Sequence, residues 1–210
     1  KLAEFDIQGL SNTAWSLAQR ELPDAPLLQA LAAQALTKLS QFQPQNLSNT
    51  AWAFARLGEA DAPLLNAIAA QSRRPLPLFD PQGIANTAWS VSKLGLGDAP
   101  FLDAISAAAR ARMHQFEPQS LANTAWSRST RGVGDPPLLA AIASQSLRRM
   151  AEFRPLPLTN LAWSYAALSV QDRHLLDAIA SSARPQMSAY NAQMIANTAW
   201  AFAKVPVERS

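Results

Sequence analysis

The segment 79–115 alternates hydrophobic and polar positions with the period of an α-helix rather than that of a strand. In its first half the apolar positions recur every three or four residues, at Ile84, Ala88, Val91 and Leu94. Asp80-Pro81 before them is typical of a helix start, and Gly95 after them can adopt the left-handed conformation that ends a helix. The pattern therefore predicts a first helix, helix A, of about 14 residues.

The second half of the segment predicts another helix, helix B, which runs to about His114. Its apolar stripe includes Phe101, Leu102 and Ile105, and Asp98 stands where an N-cap is expected. An aspartate recurs nine residues after each of five tryptophans, as Asp24, Asp61, Asp98, Asp135 and Asp172. Such a series could form an acidic or metal site, but each member directly precedes a helix start. We therefore predict that these carboxylates cap helix B.

The helix pair repeats along the whole chain. The sequence NTAW occurs five times and NLAW once, and consecutive tryptophans are always 37 residues apart. Two antiparallel helices cannot bury both apolar faces alone, so neighbouring pairs must stack. We predict an all-α fold, an α-solenoid of stacked antiparallel helix pairs, formed by one array over residues 1–210. Its repeats start near residues 5, 42, 79, 116, 153 and 190.

Aromatic residues and prolines mark the boundaries of the repeats. An aromatic residue heads each repeat and is expected in the core, at Phe5, Phe42, Phe79, Phe116, Phe153 and Tyr190. Pro75 and Pro77 interrupt one helix B and Pro157 one helix A, so we expect both helices to be about one turn shorter. The opening KLAEF matches the tail of a repeat. This match suggests a fragment of a longer array.

Composition excludes several classes of function. The 210 residues contain no cysteine and no apolar run of 18 residues, so disulfides, thiolate metal sites and a membrane span are not expected. His114 and His174 stand at unrelated repeat positions, which argues against a metal site. No nucleophile with its base, acid pair or phosphate-binding loop lies outside the repeat pattern. We therefore expect no cofactor and no enzymatic activity.

The helical wheel places the asparagine of each NTAW motif away from the buried face and the tryptophan on its border. This asparagine column, called the polar ladder, comprises Asn12, Asn49, Asn86, Asn123, Asn160 and Asn197. Two readings remain open and are compatible: these amides hold a repetitive polymer, or they bond to one another between adjacent repeats.

Two columns beside the polar ladder vary in residue type. The unvarying asparagines could hold the backbone of a repetitive polymer, and the varying residues beside them could read its side groups. The varying residues predicted to face bases stand six before or four after a tryptophan, and are Asn46, Gly83, Ser120, Arg56, Lys93, Thr130 and Lys204.

Nine of the 18 basic residues gather near the end of helix B. A positive charge there stabilises the helix dipole, which is one explanation. The other is a stripe that binds phosphates. The nine residues of this predicted phosphate-binding stripe are Lys1, Lys38, Arg73, Arg74, Arg110, Arg112, Arg148, Arg149 and Arg184.

The stretches LSNTAWAFARLG (Leu47 to Gly58) and LANTAWS (Leu121 to Ser127) resemble octotricopeptide repeats and the similar heptatricopeptide repeats. The second name denotes a 37-residue unit, the spacing found here. The resemblance implies a paired-helix solenoid of a mitochondrion or chloroplast that binds single-stranded RNA. Such proteins affect RNA stability, processing, translation or ribosome assembly. The alternative is a protein-interaction scaffold or linker subunit of a large organellar complex.

Overall fold

The computed structural model describes residues 4–97 and 99–204, and these residues form helices and no strand. About 80% of them are helical, and they include 11 α-helices. Odd-numbered helices are the predicted A helices, and even-numbered helices are the B helices. The bounds are α1 Ile7–Gln19, α2 Ala25–Lys38, α3 Pro44–Leu57, α4 Ala62–Ser72, α5 Pro81–Lys93, α6 Ala99–Ala111, α7 Pro118–Thr130, α8 Pro136–Arg148, α9 Pro155–Ala167, α10 Arg173–Ala183 and α11 Ala192–Lys204.

The predicted caps begin and end the helices. In α5 the Asp80 carboxylate accepts a hydrogen bond of 2.6 Å from the Gly83 N–H, and Gly95 beyond the helix has a φ of 69°. The capping aspartate of four B helices accepts a bond of 2.9–3.1 Å from the N–H three residues on, in Asp24, Asp61, Asp135 and Asp172. The capping prediction is confirmed for these four, whereas Asp98 lies outside the described residues.

The chain divides into two compact units, residues 1–109 and residues 110–210. Within each unit the closest packing joins consecutive A helices: α1 with α3 and α3 with α5 in the first, α7 with α9 and α9 with α11 in the second. B helices pack on their own A helix and on the next B helix, as α4 does on α3 and on α2. This stacking of antiparallel pairs confirms the predicted α-solenoid class. A single array over residues 1–210 stays a prediction.

Small residues explain why A helices approach so closely. Ser48, Ala51, Ala53 and Ala55 are buried in α3, where larger side chains would hold its neighbours apart. The aromatic residue that heads each repeat completes the core. As predicted, Phe42, Phe79, Phe116, Phe153 and Tyr190 are buried, and Phe5 is half-buried.

The prolines shorten only one of the two helices. Helix α4, before Pro75 and Pro77, has 11 residues against 13 in α8, so it is shorter by about half of the expected turn. Helix α9 keeps 13 residues, so the expected shortening at Pro157 is wrong. Pro155 and Pro157 lie in the first turn, where backbone N–H groups have no acceptor within the helix. Helix α6 ends at Ala111 rather than near His114, and a 3₁₀ turn over Met113–Gln115 follows it.

Candidate nucleic-acid interface

An A helix packed between two others exposes one line of side chains, as α3 shows. Helix α3 packs against α1, α4 and α5, which cover most of its surface. Its exposed side chains are Gln45 and Arg56, and Asn49 and Trp52 between them are half-buried. Positions i, i+4, i+7 and i+11 share one face of a helix, so these four form a single line.

We call the corresponding positions of all A helices the outer stripe. In the first unit it comprises Gln8, Asn12, Trp15 and Gln19; Gln45, Asn49, Trp52 and Arg56; and Gln82, Asn86, Trp89 and Lys93. In the second unit it comprises Gln119, Asn123, Trp126 and Thr130; Leu156, Asn160, Trp163 and Ala167; and Gln193, Asn197, Trp200 and Lys204.

The tryptophans are partly accessible along the whole outer stripe. Trp15 and Trp200 are 40% and 41% exposed, and the other four are half-buried. The rings of Trp163 and Trp200 lie 6.2 Å apart, with their planes inclined by 31°. The prediction that the tryptophan lies on the border of the buried face is therefore confirmed.

Two lysines of the outer stripe lie over indole rings. The Lys93 Nζ is 4.8 Å from the Trp89 ring centroid, and the Lys204 Nζ is 5.6 Å from that of Trp200. At these distances the cation is attracted by the π-electrons of the ring. Burial lowers the pKa of Lys93, and the positive charge of Arg56 lowers it further. Arg56 itself forms an ion pair with the exposed carboxylate of Glu21.

The predicted base-facing residues fall into two groups. The four that follow a tryptophan by four positions are exposed, namely Arg56, Lys93, Thr130 and Lys204. Gly83 and Ser120, six before a tryptophan, are buried instead. A Cβ at Gly83 would lie 2.9 Å from the Asp80 carboxylate and 3.3 Å from the Ser48 hydroxyl of α3. Because these positions are covered by protein, we remove them from the base-facing set.

Asn46, the third residue of that column, has a structural role. Its carbonyl oxygen accepts a 3.1 Å hydrogen bond from the Gln43 N–H at the start of α3. Its amide donates to the Ser11 hydroxyl of α1 at 3.0 Å. Both ends of the side chain are thus engaged within the protein, and Asn46 also leaves the base-facing set.

The asparagines of the polar ladder differ in exposure. Asn12 is exposed, Asn49, Asn160 and Asn197 are half-buried, and Asn86 and Asn123 are nearly covered. The Asn123 amide oxygen accepts a 2.9 Å bond from Gln119 of the same helix. Within either unit, over residues 4–97 and 99–204, no hydrogen bond joins these side chains between repeats. Asn12, Asn49, Asn160 and Asn197 are therefore accessible from the surface, and the role of the asparagine column stays a prediction.

Some basic residues near the end of helix B are structural. The Lys38 Nζ donates to the Phe5 carbonyl at 2.6 Å, and the Arg149 Nη1 to the Phe116 carbonyl at 2.8 Å. Gln186 makes the equivalent bond to the Phe153 carbonyl, at 3.1 Å. In each case the donor fixes the chain that leads into helix A of the same repeat.

Arg149 has further partners. Its guanidinium donates to the carboxylates of Glu152 and Glu117, and these hydrogen bonds raise its pKa. Arg112, at the same repeat position, donates to Gln115 at 3.2 Å. Arg73 lies over the Phe101 ring, 5.4 Å from its centroid. The exposed members of the predicted phosphate-binding set are Arg73, Arg74, Arg110, Arg148 and Arg184, while Lys1 lies outside the described residues.

Sequence reasoning missed two features of the second unit. Arg128 is buried in α7, 3.8 Å from the Asp135 carboxylate, at a repeat position that is apolar elsewhere. That break in the pattern was a readable signal. A groove of about 470 Å³ lies at the start of α7, α9 and α11 and is lined in part by Pro118, Leu156 and Met194. The sequence signal for this groove was Leu156, which stands at a repeat position that is glutamine in the other five repeats.

Two kinds of site find no support in the part of the chain that the structure describes. None of its helices is long and apolar enough to span a bilayer. Across the same residues, no three His, Cys, Asp or Glu side chains cluster as a metal ion would require.

Comparison with protein families gives two partial matches. Residues 1–99, which include α1 to α5, match the family model described as RNA-editing substrate-binding complex 6 protein. Residues 108–124 and 172–198 match a family of proteins of unknown function, DUF1601. No curated protein matches the chain. Neither matched model is an octotricopeptide or heptatricopeptide repeat, so that more specific resemblance stays a prediction.

Proposed function

We propose that this protein binds single-stranded RNA on its outer stripe and catalyses no reaction. The observation that carries the proposal is a line of partly exposed tryptophans, each beside an amide, with a cation after Trp52 and Trp89. Indole rings stack on any base, and cations attract the RNA backbone, which is how many proteins hold single strands. The exposed Arg56, Lys93, Thr130 and Lys204 are the proposed contacts.

Two similarities support RNA as the ligand. The family matched by residues 1–99 is named after a complex that binds an RNA-editing substrate. The resemblance to octotricopeptide and heptatricopeptide repeats also implies an RNA. We therefore propose a role in RNA stability, processing, translation or ribosome assembly, in a mitochondrion or chloroplast. The exposed arginines near the end of helix B remain candidates for phosphate contacts.

The test is a set of binding isotherms of the whole chain with a randomised single-stranded RNA pool, at several salt concentrations. We expect a Kd that rises steeply with salt, and stronger binding to the single strand than to duplex RNA of equal length. Non-specific nucleic-acid binding has a Kd of about 10⁻⁴–10⁻⁶ M at physiological salt. Binding no tighter than about 10⁻⁴ M would contradict the proposal.

A specific observation favours a second function, that of a protein scaffold within a large complex. The groove beside Leu156 is open to solvent and mainly apolar, with Glu117, Glu152 and Arg154 also in its lining, and the name of the matched family refers to a complex. Exposed apolar side chains such as Leu156 suit contacts with proteins rather than with phosphates. If the RNA isotherms fail, the scaffold becomes the better account.

A further inference from the structure

Two cations of the first unit stand at the same height on neighbouring helices. Arg56 follows Trp52 in α3 by four residues, and Lys93 follows Trp89 in α5 by the same number. Helices α3 and α5 pack side by side, which brings their axes to about 8–10 Å. A polymer strand that lies across both helices therefore meets one indole ring and one cation on each of them.

The electrostatics of this pair favour an anion. Each cation lies close enough to the other for the charge of Arg56 to lower the pKa of Lys93. Glu21 forms an ion pair with Arg56, and the two side chains are 71% and 46% exposed. A negative group placed between the two cations would stabilise the charged form of both.

The Lys93 Nζ lies 4.8 Å from the Trp89 ring centroid, so this cation stands beside the stacking residue itself. Arg74 comes before the first residue of α5, whereas Lys93 is its last residue. A helix of 13 residues is about 20 Å long. Trp89 and Lys93 are separated by about 6 Å along the same axis. A strand whose bases stack on the tryptophans therefore passes the Arg56 and Lys93 column.

We infer that Arg56 and Lys93 bind a phosphodiester of a single strand whose bases stack on Trp52 and Trp89. This subsite deepens the proposed function and rests on it. The sequence predicted that the residues four after each tryptophan read bases. In this inference Arg56 and Lys93 hold the backbone of the strand instead. It also places a phosphate contact on the A helices, whereas the sequence placed these contacts near the ends of the B helices.

The principal test compares two double variants of the whole chain. Arg56→Gln/Lys93→Gln removes the proposed contacts, and Arg154→Gln/Arg173→Gln removes two exposed charges that belong neither to the outer stripe nor to the predicted phosphate-binding set. Each phosphate contact to a single strand contributes about 0.7 to the slope of log K against log salt. We expect the first variant to lower that slope by about 1.4, and the second to leave it unchanged. Arg56→Lys/Lys93→Arg should keep the slope of the original chain.

Two further measurements examine the geometry. Glu21→Gln frees Arg56 from its partner, so binding should tighten a few-fold without loss of helical circular dichroism. An abasic ribose phosphate oligomer should keep most of the salt slope but bind about 5- to 150-fold more weakly for each stacked base lost. It should also cease to quench the tryptophan fluorescence.

The outcomes separate this inference from the proposed function. If the original chain binds RNA and the two double variants lose equal slope, the subsite is wrong and the proposed function stands. If abasic and ordinary RNA bind equally well, the tryptophans do not stack on bases and the inference fails. If the original chain binds no RNA, both are overturned.

Discussion

The outer stripes of the two units occupy equivalent positions of their A helices but differ in the chemistry of their side chains. In the first unit the last position is Gln19, Arg56 or Lys93, and a glutamine always occupies the first position. In the second unit the last position is Thr130, Ala167 or Lys204, and Leu156 replaces one glutamine. Leu156 is 45% exposed beside an apolar groove. The first stripe therefore suits a charged polymer, and the middle of the second suits an apolar group.

This difference shows which positions of a repeat are free to change. Both units use an aspartate to cap helix B, an aromatic residue at the head of the repeat and small residues between A helices. Those positions are fixed because each is buried or completes a helix end. The outer stripe touches solvent, so its residues can differ between repeats without loss of the fold. Substitutions at equivalent positions of the two units test this difference.

The largest effect is expected at a core position that recurs in the repeats of both units. Ile84 of α5 and Ile195 of α11 occupy the same repeat position, but they are 0% and 44% exposed. Ile84→Ala should lower the free energy of unfolding by about 2–5 kcal/mol, since it leaves a cavity. Ile195→Ala should cost less than about 1 kcal/mol. Urea denaturation measures both, and equal costs would contradict the difference in burial.

The next effect concerns two adjacent arginines of the second unit. Arg149 bonds the Phe116 carbonyl and two carboxylates, whereas Arg148 is exposed. We expect Arg149→Gln to cost about 1–2 kcal/mol of stability, because a carbonyl loses its charged donor. Arg148→Gln should stay within about 0.5 kcal/mol. Thermal unfolding distinguishes them, and identical melting temperatures would mean that the Arg149 contacts contribute nothing.

A smaller effect should follow from moving the charge of the first stripe into the second. Thr130→Arg/Ala167→Lys places two cations after Trp126 and Trp163. We expect a few-fold tighter binding of single-stranded RNA and a salt slope larger by about 1.4. Ala140→Lys/Ser144→Arg adds equal charge to exposed positions of α8 and serves as the control. If both variants gain equally, net charge rather than the stripe governs binding.

The smallest effect is expected at Leu156. Leu156→Gln restores the glutamine of the other stripes at an exposed position. Stability should change by less than about 0.5 kcal/mol, and RNA affinity by less than about two-fold. Urea denaturation and the same isotherms measure these changes. A large loss of stability would show that Leu156 packs in the core, and the apolar character of the second stripe would then lose its meaning.

The sequence by itself determined the helices and their order. Apolar spacing, Asp80 before Pro81 and the glycine at Gly95 are local signals, because a cap bonds to residues three positions away. The recurrence of Trp every 37 residues then required stacked pairs. The wheel also placed Trp89 correctly on the border of the buried face, since the angle between Trp89 and the apolar positions of α5 is fixed by the helix itself.

Only the tertiary structure decided which polar positions reach a ligand. A helical wheel of α5 cannot show that Gly83 lies against Ser48 of α3, because that contact joins residues 35 positions apart. Nor can it show that Lys38 bonds the Phe5 carbonyl while Arg148 stays exposed. The physical reason is that an A helix is covered by neighbouring repeats as well as by its partner. The accessible face is what remains after all of these helices have packed.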